Sequence, residues 1–71
     1  MQATISTLGL GYIGLPTSAL IASHGIFVHG VDISQQVVDT INAGKIHIVE
    51  PELDKAVANA VAAGFLKASP K

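Results

Sequence analysis

The sequence predicts an α/β fold, half of a doubly wound parallel sheet with flanking helices, and three observations lead there. Apolar, β-branched stretches alternate with helix-period segments in the order β-α-β-α-α-β, an order that favours parallel strands joined by right-handed crossovers. No Asp, Glu, Lys or Arg occurs before Asp32, as expected of strands covered on both faces, which read as near-continuous apolar runs. Each candidate helix is followed by a glycine, Gly25, Gly44 or Gly64, where a left-handed residue ends a helix.

Residues 3–8, ATISTL, are rich in β-branched side chains and run straight into Gly9, which predicts the first strand. A helix is expected from Tyr12 to about Ser23, with Ile13, Leu20 and Ile21 recurring at roughly helical spacing. Pro16 falls in the second half of its first turn, where it removes one early hydrogen bond and is expected at most to kink the helix. Residues 26–32, IFVHGVD, form the second strand, with the small Gly30 near its end. Ser34 or Asp32 can cap the next helix, whose Val37, Val38 and Ile41 share one face and which Asn42-Ala43-Gly44 ends. Pro51 fits the first position of a third helix, with Glu50, Glu52 and Asp54 at its positive end. Leu53, Val57, Ala60 and Val61 make the buried stripe of that helix, and FLKAS at 65–69 begins the third strand.

Composition narrows the function classes. A chain of 71 residues makes one small domain, burying only about 60% of the surface its unfolded form exposes, so marginal stability is expected. With no cysteine there is neither a disulfide framework nor a thiolate metal site. His24, His29 and His47 are too widely separated to suggest a metal centre. A net charge of -1 and four unclustered lysines (Lys45, Lys55, Lys67, Lys71) give no footprint of nucleic-acid binding. The uncharged N-terminal stretch lacks a positive n-region and is repeatedly interrupted by Gly, Pro, Ser, Thr and His. Neither a signal peptide nor a membrane span is expected, and the chain reads as soluble and cytoplasmic.

Residues 8–16, LGLGYIGLP, carry three glycines spaced G-x-G-x-x-G between a strand and a helix. That context, rather than the spacing alone, gives the motif its meaning. Gly9 permits the tight turn, Gly11 leaves no Cβ in the way of a pyrophosphate, and Gly14 allows close helix packing. The amides of Tyr12 and Ile13 then lie at a helix N-terminus, where unpaired N–H groups and the helix dipole favour phosphate. Asp32 follows Gly14 by 18 residues, near the ~20 expected for the acid that accepts the adenosine ribose hydroxyls. Its charge repels a 2′-phosphate, and the next residues, ISQQV, offer no Arg or Lys to hold one. The expected cofactor is therefore NAD rather than NADP, bound to part of a Rossmann-like fold at Gly9, Gly11, Tyr12, Ile13, Gly14 and Asp32. A plainer reading stays open, in which the glycines serve only the turn and Asp32 opens a D-x-x-Q capping box.

GLGYIGLPT, GVDI, VDTINAGKIHIVEPEL and AAGFLKA together resemble the start of the UDP-glucose/GDP-mannose dehydrogenase family, from Ala3 to Ala68. INAG followed by HIVEP points within that family to its mannosamine branch. The resemblance implies an NAD-dependent enzyme that oxidises a nucleotide sugar at C6 from alcohol to carboxylate in two hydride transfers, usually as a cytoplasmic dimer. Gly9, Gly11 and Gly14 match its phosphate loop, Tyr12 and Ile13 its backbone contacts, and Asp32 its ribose acid. Some members carry a basic residue where this chain has Val37. The family's cysteine, which holds the aldehyde as a thiohemiacetal, has no counterpart here, and its assisting lysine, asparagine and aspartate would lie beyond Lys71. Residues 1–71 are thus expected to be the N-terminal portion of a dinucleotide-binding domain, lacking the UDP-sugar and catalytic parts and inactive alone. No catalytic or metal-ligating residue is assigned. Two alternatives remain at this point. One is the equivalent piece of another NAD-dependent dehydrogenase, of hydroxyacid or 6-phosphogluconate type. The other is a non-catalytic module that binds a nucleotide or forms a homodimer through an exposed sheet edge.

Overall fold

The computed structural model describes residues 4–70. Strands β1 (Thr4–Leu8), β2 (Phe27–Asp32) and β3 (Leu66–Pro70) form one parallel sheet in the order β1-β2-β3. Thr4 to Leu8 pair with Phe27 to Val31, and Val28 to Asp32 pair with Leu66 to Pro70. Helices α1 (Gly14–Ser23), α2 (Gln35–Asn42) and α3 (Leu53–Ala62) complete the expected order. Ala3, expected to open the first strand, lies outside the described residues. Among those residues no helix is long and apolar enough to cross a membrane.

Alternation along the strands gives the sheet two unlike faces. Val28, Gly30, Leu66 and Ala68 are buried, whereas the residues between them are half-buried or exposed. Val28, Leu66 and Ala68 share a single core with Leu15, Ala19 and Ala22 of α1, Val38 and Ile41 of α2, and Leu53, Val57 and Ala60 of α3. All three helices therefore cover the same face. At the start of β2 and just before β3 the Phe27 and Phe65 rings pack with centroids 4.7 Å apart, and on the other face His29 Nε2 lies 2.8 Å from Ser69 Oγ. The expectation of strands buried on both faces is thus corrected: β1 exposes Thr4, Ile5, Ser6 and Leu8. Uncharged Thr, Ser and His hydrate that open face, so the absence of charge before Asp32 does not require burial.

In α1 the inward stripe differs from the one its large apolar residues suggest. Leu15, Ser18, Ala19 and Ala22 are buried, at helical spacing, while Ile13 at the N-cap is 83% exposed and Leu20 is 62% exposed. Small side chains let the helix approach the sheet closely. Ser18 tolerates full burial because its hydroxyl is bonded, 2.7 Å from the Gly14 carbonyl and 2.9 Å from Thr7 Oγ1. Pro16 leaves the helix intact: the amides of Leu15 and Thr17 donate to Gly11 and Ile13 on either side of it.

Ser34, not Asp32, caps α2, with its Oγ accepting the Val37 amide at 3.3 Å. Val38 and Ile41 are buried and Val37 partly so, as the spacing predicts. Gly44 closes the helix in the left-handed region, φ +76°, and the Lys45 amide reaches back to the Thr40 carbonyl at 3.0 Å. Helix α3 begins later than Pro51 suggests. Glu52 is its N-cap, at φ +63°, and only Asp54 of the three acids lies in the first turn. Ile48 and Leu53 are both buried, so the four residues between them must double back, and Glu52 takes the left-handed conformation that the turn demands.

Candidate cofactor site

The site is assembled where β1 and β2 end side by side. The Gly9 amide donates to the Val31 carbonyl at 2.7 Å, and Gly9, at φ +89°, then turns the chain out of the sheet. Leu10 is fully buried. It lies over Gly30, where an added Cβ would come within 2.6 Å of Leu10 Cδ2. Gly30 is thus small to make room for the residue between the first two glycines of the loop.

Gly14 meets a harder limit. A Cβ there would lie 1.9 Å from the Gly9 carbonyl oxygen and 2.9 Å from its carbon, backbone atoms that no rotamer change can remove. The next nearest atom is Thr7 Cγ2 of β1, at 3.5 Å. The third glycine therefore folds the loop onto itself as well as bringing α1 to the sheet. At Gly11, by contrast, a Cβ would have nothing within 4 Å, so the loop is open to solvent there. Among the described residues the amides of Gly11, Tyr12, Ile13 and Gly14 donate to no protein acceptor. Tyr12 and Ile13 expose most of their side chains, leaving their backbone as the contribution to the site.

Asp32, at the end of β2, ties this loop down. Its Oδ2 accepts the Leu10 amide at 3.0 Å, and its Oδ1 accepts the Ser34 amide at 2.9 Å. The Leu10 amide, then that of Ser34, hold its carboxyl below the usual aspartate range, and the charge of His47 acts in the same direction. The group is ionised at neutral pH and acts only as an acceptor. Two amides leave lone pairs free on both oxygens. Beside it an open crevice of about 480 Å³ is lined by Leu8, Gly9, Val31, Asp32 and Ile33.

The structure thus brings Gly9, Gly11, Tyr12, Ile13, Gly14 and Asp32 to one end of the sheet. Sequence reasoning did not single out Leu10 or its contact with Gly30. The signal was present in the glycine two residues before the acid, in a strand where glycine is otherwise unfavourable.

The family model for the NAD binding domain of UDP-glucose/GDP-mannose dehydrogenases matches residues 3–71. The chain belongs to that family. UDP-N-acetyl-D-mannosamine dehydrogenase of Escherichia coli K12 is 64% identical over 67 residues, 94% of this chain and 16% of that protein. The NDP-N-acetyl-D-galactosaminuronic acid dehydrogenase of Ralstonia nicotianae is 61% identical over 66 residues, 93% of this chain and again 16% of that protein. Among solved structures, the UDP-D-ManNAc dehydrogenase of Pyrococcus horikoshii superposes with a TM-score of 0.91 at 46% identity, over 96% of this chain and 16% of that one. This family member therefore spans about one-sixth of the length of the relatives it matches. Its family replaces the hydroxyacid or 6-phosphogluconate alternative, and its cofactor is NAD. The residues fit that group: an open loop of unpaired amides suits a pyrophosphate, and an ionised acceptor suits ribose hydroxyls.

Proposed function

We propose that Gly9, Gly11, Tyr12, Ile13 and Gly14 hold the pyrophosphate of NAD and that Asp32 holds its adenosine ribose. In this reading residues 1–71 are the N-terminal portion of the dinucleotide-binding domain of a cytoplasmic enzyme. That enzyme oxidises UDP-N-acetylmannosamine, or a related UDP-sugar, to the uronic acid with two NAD. Near-equal identity to relatives named for mannosamine and galactosaminuronic acid fits a segment that serves the cofactor rather than choosing the sugar. NAD supplies the hydride acceptor when bound. The residues of this chain bind and orient it, and none supplies the thiol, so the 71 residues alone do not turn over. We also propose that two copies pair along an exposed edge of the sheet.

One observation carries the cofactor reading. The Asp32 carboxylate bonds the loop through the Leu10 amide while keeping acceptor capacity beside the open crevice. Titration of the chain with NAD, followed by backbone amide NMR, tests it. Shifts at Gly11 to Gly14 are expected at millimolar NAD. With Asp32→Ala they should need about tenfold more ligand, the usual size for a lost hydrogen bond to a charged group, and NADP should bind more weakly than NAD. A chain that stays folded and shows no response to millimolar NAD would sink the reading.

A further inference from the structure

Gly30 and Asp32 address the same residue of the loop from one face of β2. Alternation along the strand puts both on the helix-covered side of the sheet. The side chain of Leu10 lies on Gly30, and its amide donates to Asp32 Oδ2 at 3.0 Å. Leu10 is also the first residue past the ladder, because the Gly9 amide still pairs with the Val31 carbonyl. One residue therefore carries the size of position 30 to the carboxylate at position 32.

The seat on Gly30 leaves Leu10 little room. A Cβ at position 30 would stand 2.6 Å from Leu10 Cδ2, 2.9 Å from Cδ1 and 3.2 Å from Cγ. Turning the branch about Cβ–Cγ only exchanges one methyl for the other, and Cγ stays too near. Relief has to come from χ1 or from the backbone of Leu10, whose side chain is fully buried in the close-packed core. The bond to Asp32 tolerates little of that movement. A retreat of about 0.5 Å takes a donor that stands at 3.0 Å out of hydrogen-bond range.

We infer that Gly30 is a positioning residue for the cofactor, acting through Leu10 on Asp32. Its missing Cβ seats Leu10 low enough for the amide to hold Oδ2, and that bond sets the direction in which the carboxylate offers its free lone pairs. The inference rests on the proposed contact between Asp32 and the adenosine ribose, and adds the residue that aims it. Two vicinal hydroxyls need two correctly placed acceptors, so the aim matters most for a ligand that carries both.

Amide hydrogen exchange and NAD titration of the native chain, of Gly30→Ala and of the double variant Gly30→Ala/Leu10→Val test this. The double variant moves one carbon from residue 10 to residue 30 at nearly constant volume. In Gly30→Ala, protection of the Leu10 amide should fall about tenfold or more, the size of a lost hydrogen bond to a charged group. The amides of Gly9 and Val28, which donate to the Val31 and Phe65 carbonyls, should keep theirs. NAD should bind about tenfold more weakly, and its advantage over the analogue lacking the adenosine 2′-hydroxyl should drop from about tenfold to less than about threefold. The double variant should recover Leu10 protection and bring NAD affinity back to within about threefold of native. A folded Gly30→Ala chain with native Leu10 protection and native affinity overturns the inference and leaves the cofactor reading standing. So does protection lost equally at Gly9, Val28 and Leu10, since Gly30 would then serve only the core. Should Gly30→Ala not fold, the double variant decides. Folded with Leu10 protected, it supports the inference; unfolded, or folded with Leu10 unprotected, it overturns it. A native chain in which NAD moves no resonance overturns the cofactor reading, and with it the role of Gly30, whatever the exchange pattern.

Discussion

The glycine loop at 9–14 and the segment at 45–52 both lead the chain into a helix, and they do so by opposite means. In the first, every unusual backbone demand falls on a glycine: Gly9 takes the positive φ and Gly14 sits where no Cβ fits. In the second, the positive φ falls on Glu52, and the shape is set by the burial of Ile48 and Leu53 around an almost fully exposed Val49. The first loop is held by local backbone geometry, one carboxylate and the single buried side chain of Leu10. The second is held from outside, by apolar side chains seated in the core. A segment of the first kind announces itself in sequence, whereas one of the second kind does not.

The sharpest way to break the contrast is Gly14→Ala. The new methyl would overlap the Gly9 carbonyl, so the loop or the first turn of α1 must move, at an expected cost of about 3 kcal/mol or more. In a domain of this size that is enough to abolish the cooperative transition seen by circular dichroism in urea. A native-like melt would show that the loop is softer than its contacts imply.

Asp32→Asn comes next. An amide can present an oxygen to only one of the two N–H groups, so Leu10 or Ser34 loses its acceptor. The expected cost at pH 7 is about 1–2 kcal/mol. The native carboxyl is depressed on folding, so its contribution is fully present above the unfolded value of about 3.9 and is lost as pH falls through the lower folded value. The native chain and the variant should therefore differ in urea midpoint at pH 7 and converge once the pH has fallen through the lowered folded value. A gap that persists unchanged in acid would mean that the ionised form is not what holds the loop.

Glu52→Gly should have the smallest effect and the opposite sign. Removing the Cβ relieves the left-handed strain at Glu52, partly offset by the entropy of the added glycine in the unfolded chain. Stabilisation of up to about 1 kcal/mol is expected, read as a rise in Tm. A fall in Tm would show that the Glu52 side chain contributes more than its backbone strain costs.

Much of the fold could be read from residues whose physics is local. Gly44 and Gly64 both take the positive φ expected of helix-ending glycines, Ser34 caps α2, and the stripe of Leu53, Val57 and Ala60 is buried as its spacing indicates. The candidate site was legible for the same reason, since the loop offers backbone and Asp32 offers charge. What escaped was decided by distant parts of the chain. Ile13 and Leu20 face outward because α1 turns Leu15, Ser18, Ala19 and Ala22 to the core. Asn42 reads as a helix terminator, yet its side chain spends both hydrogen-bonding groups on a strand 26 residues away. Nothing in the local sequence of α2 specifies that partner.

The bond from Leu10 to Asp32 bridges 22 residues and ties the glycine loop to the end of β2. Leu10 is fixed twice, because its side chain is fully buried in the core while its amide is held by the carboxylate. A loop fixed before its ligand arrives loses less conformational freedom on binding. The acid that would touch the cofactor thus also shapes the loop that receives it.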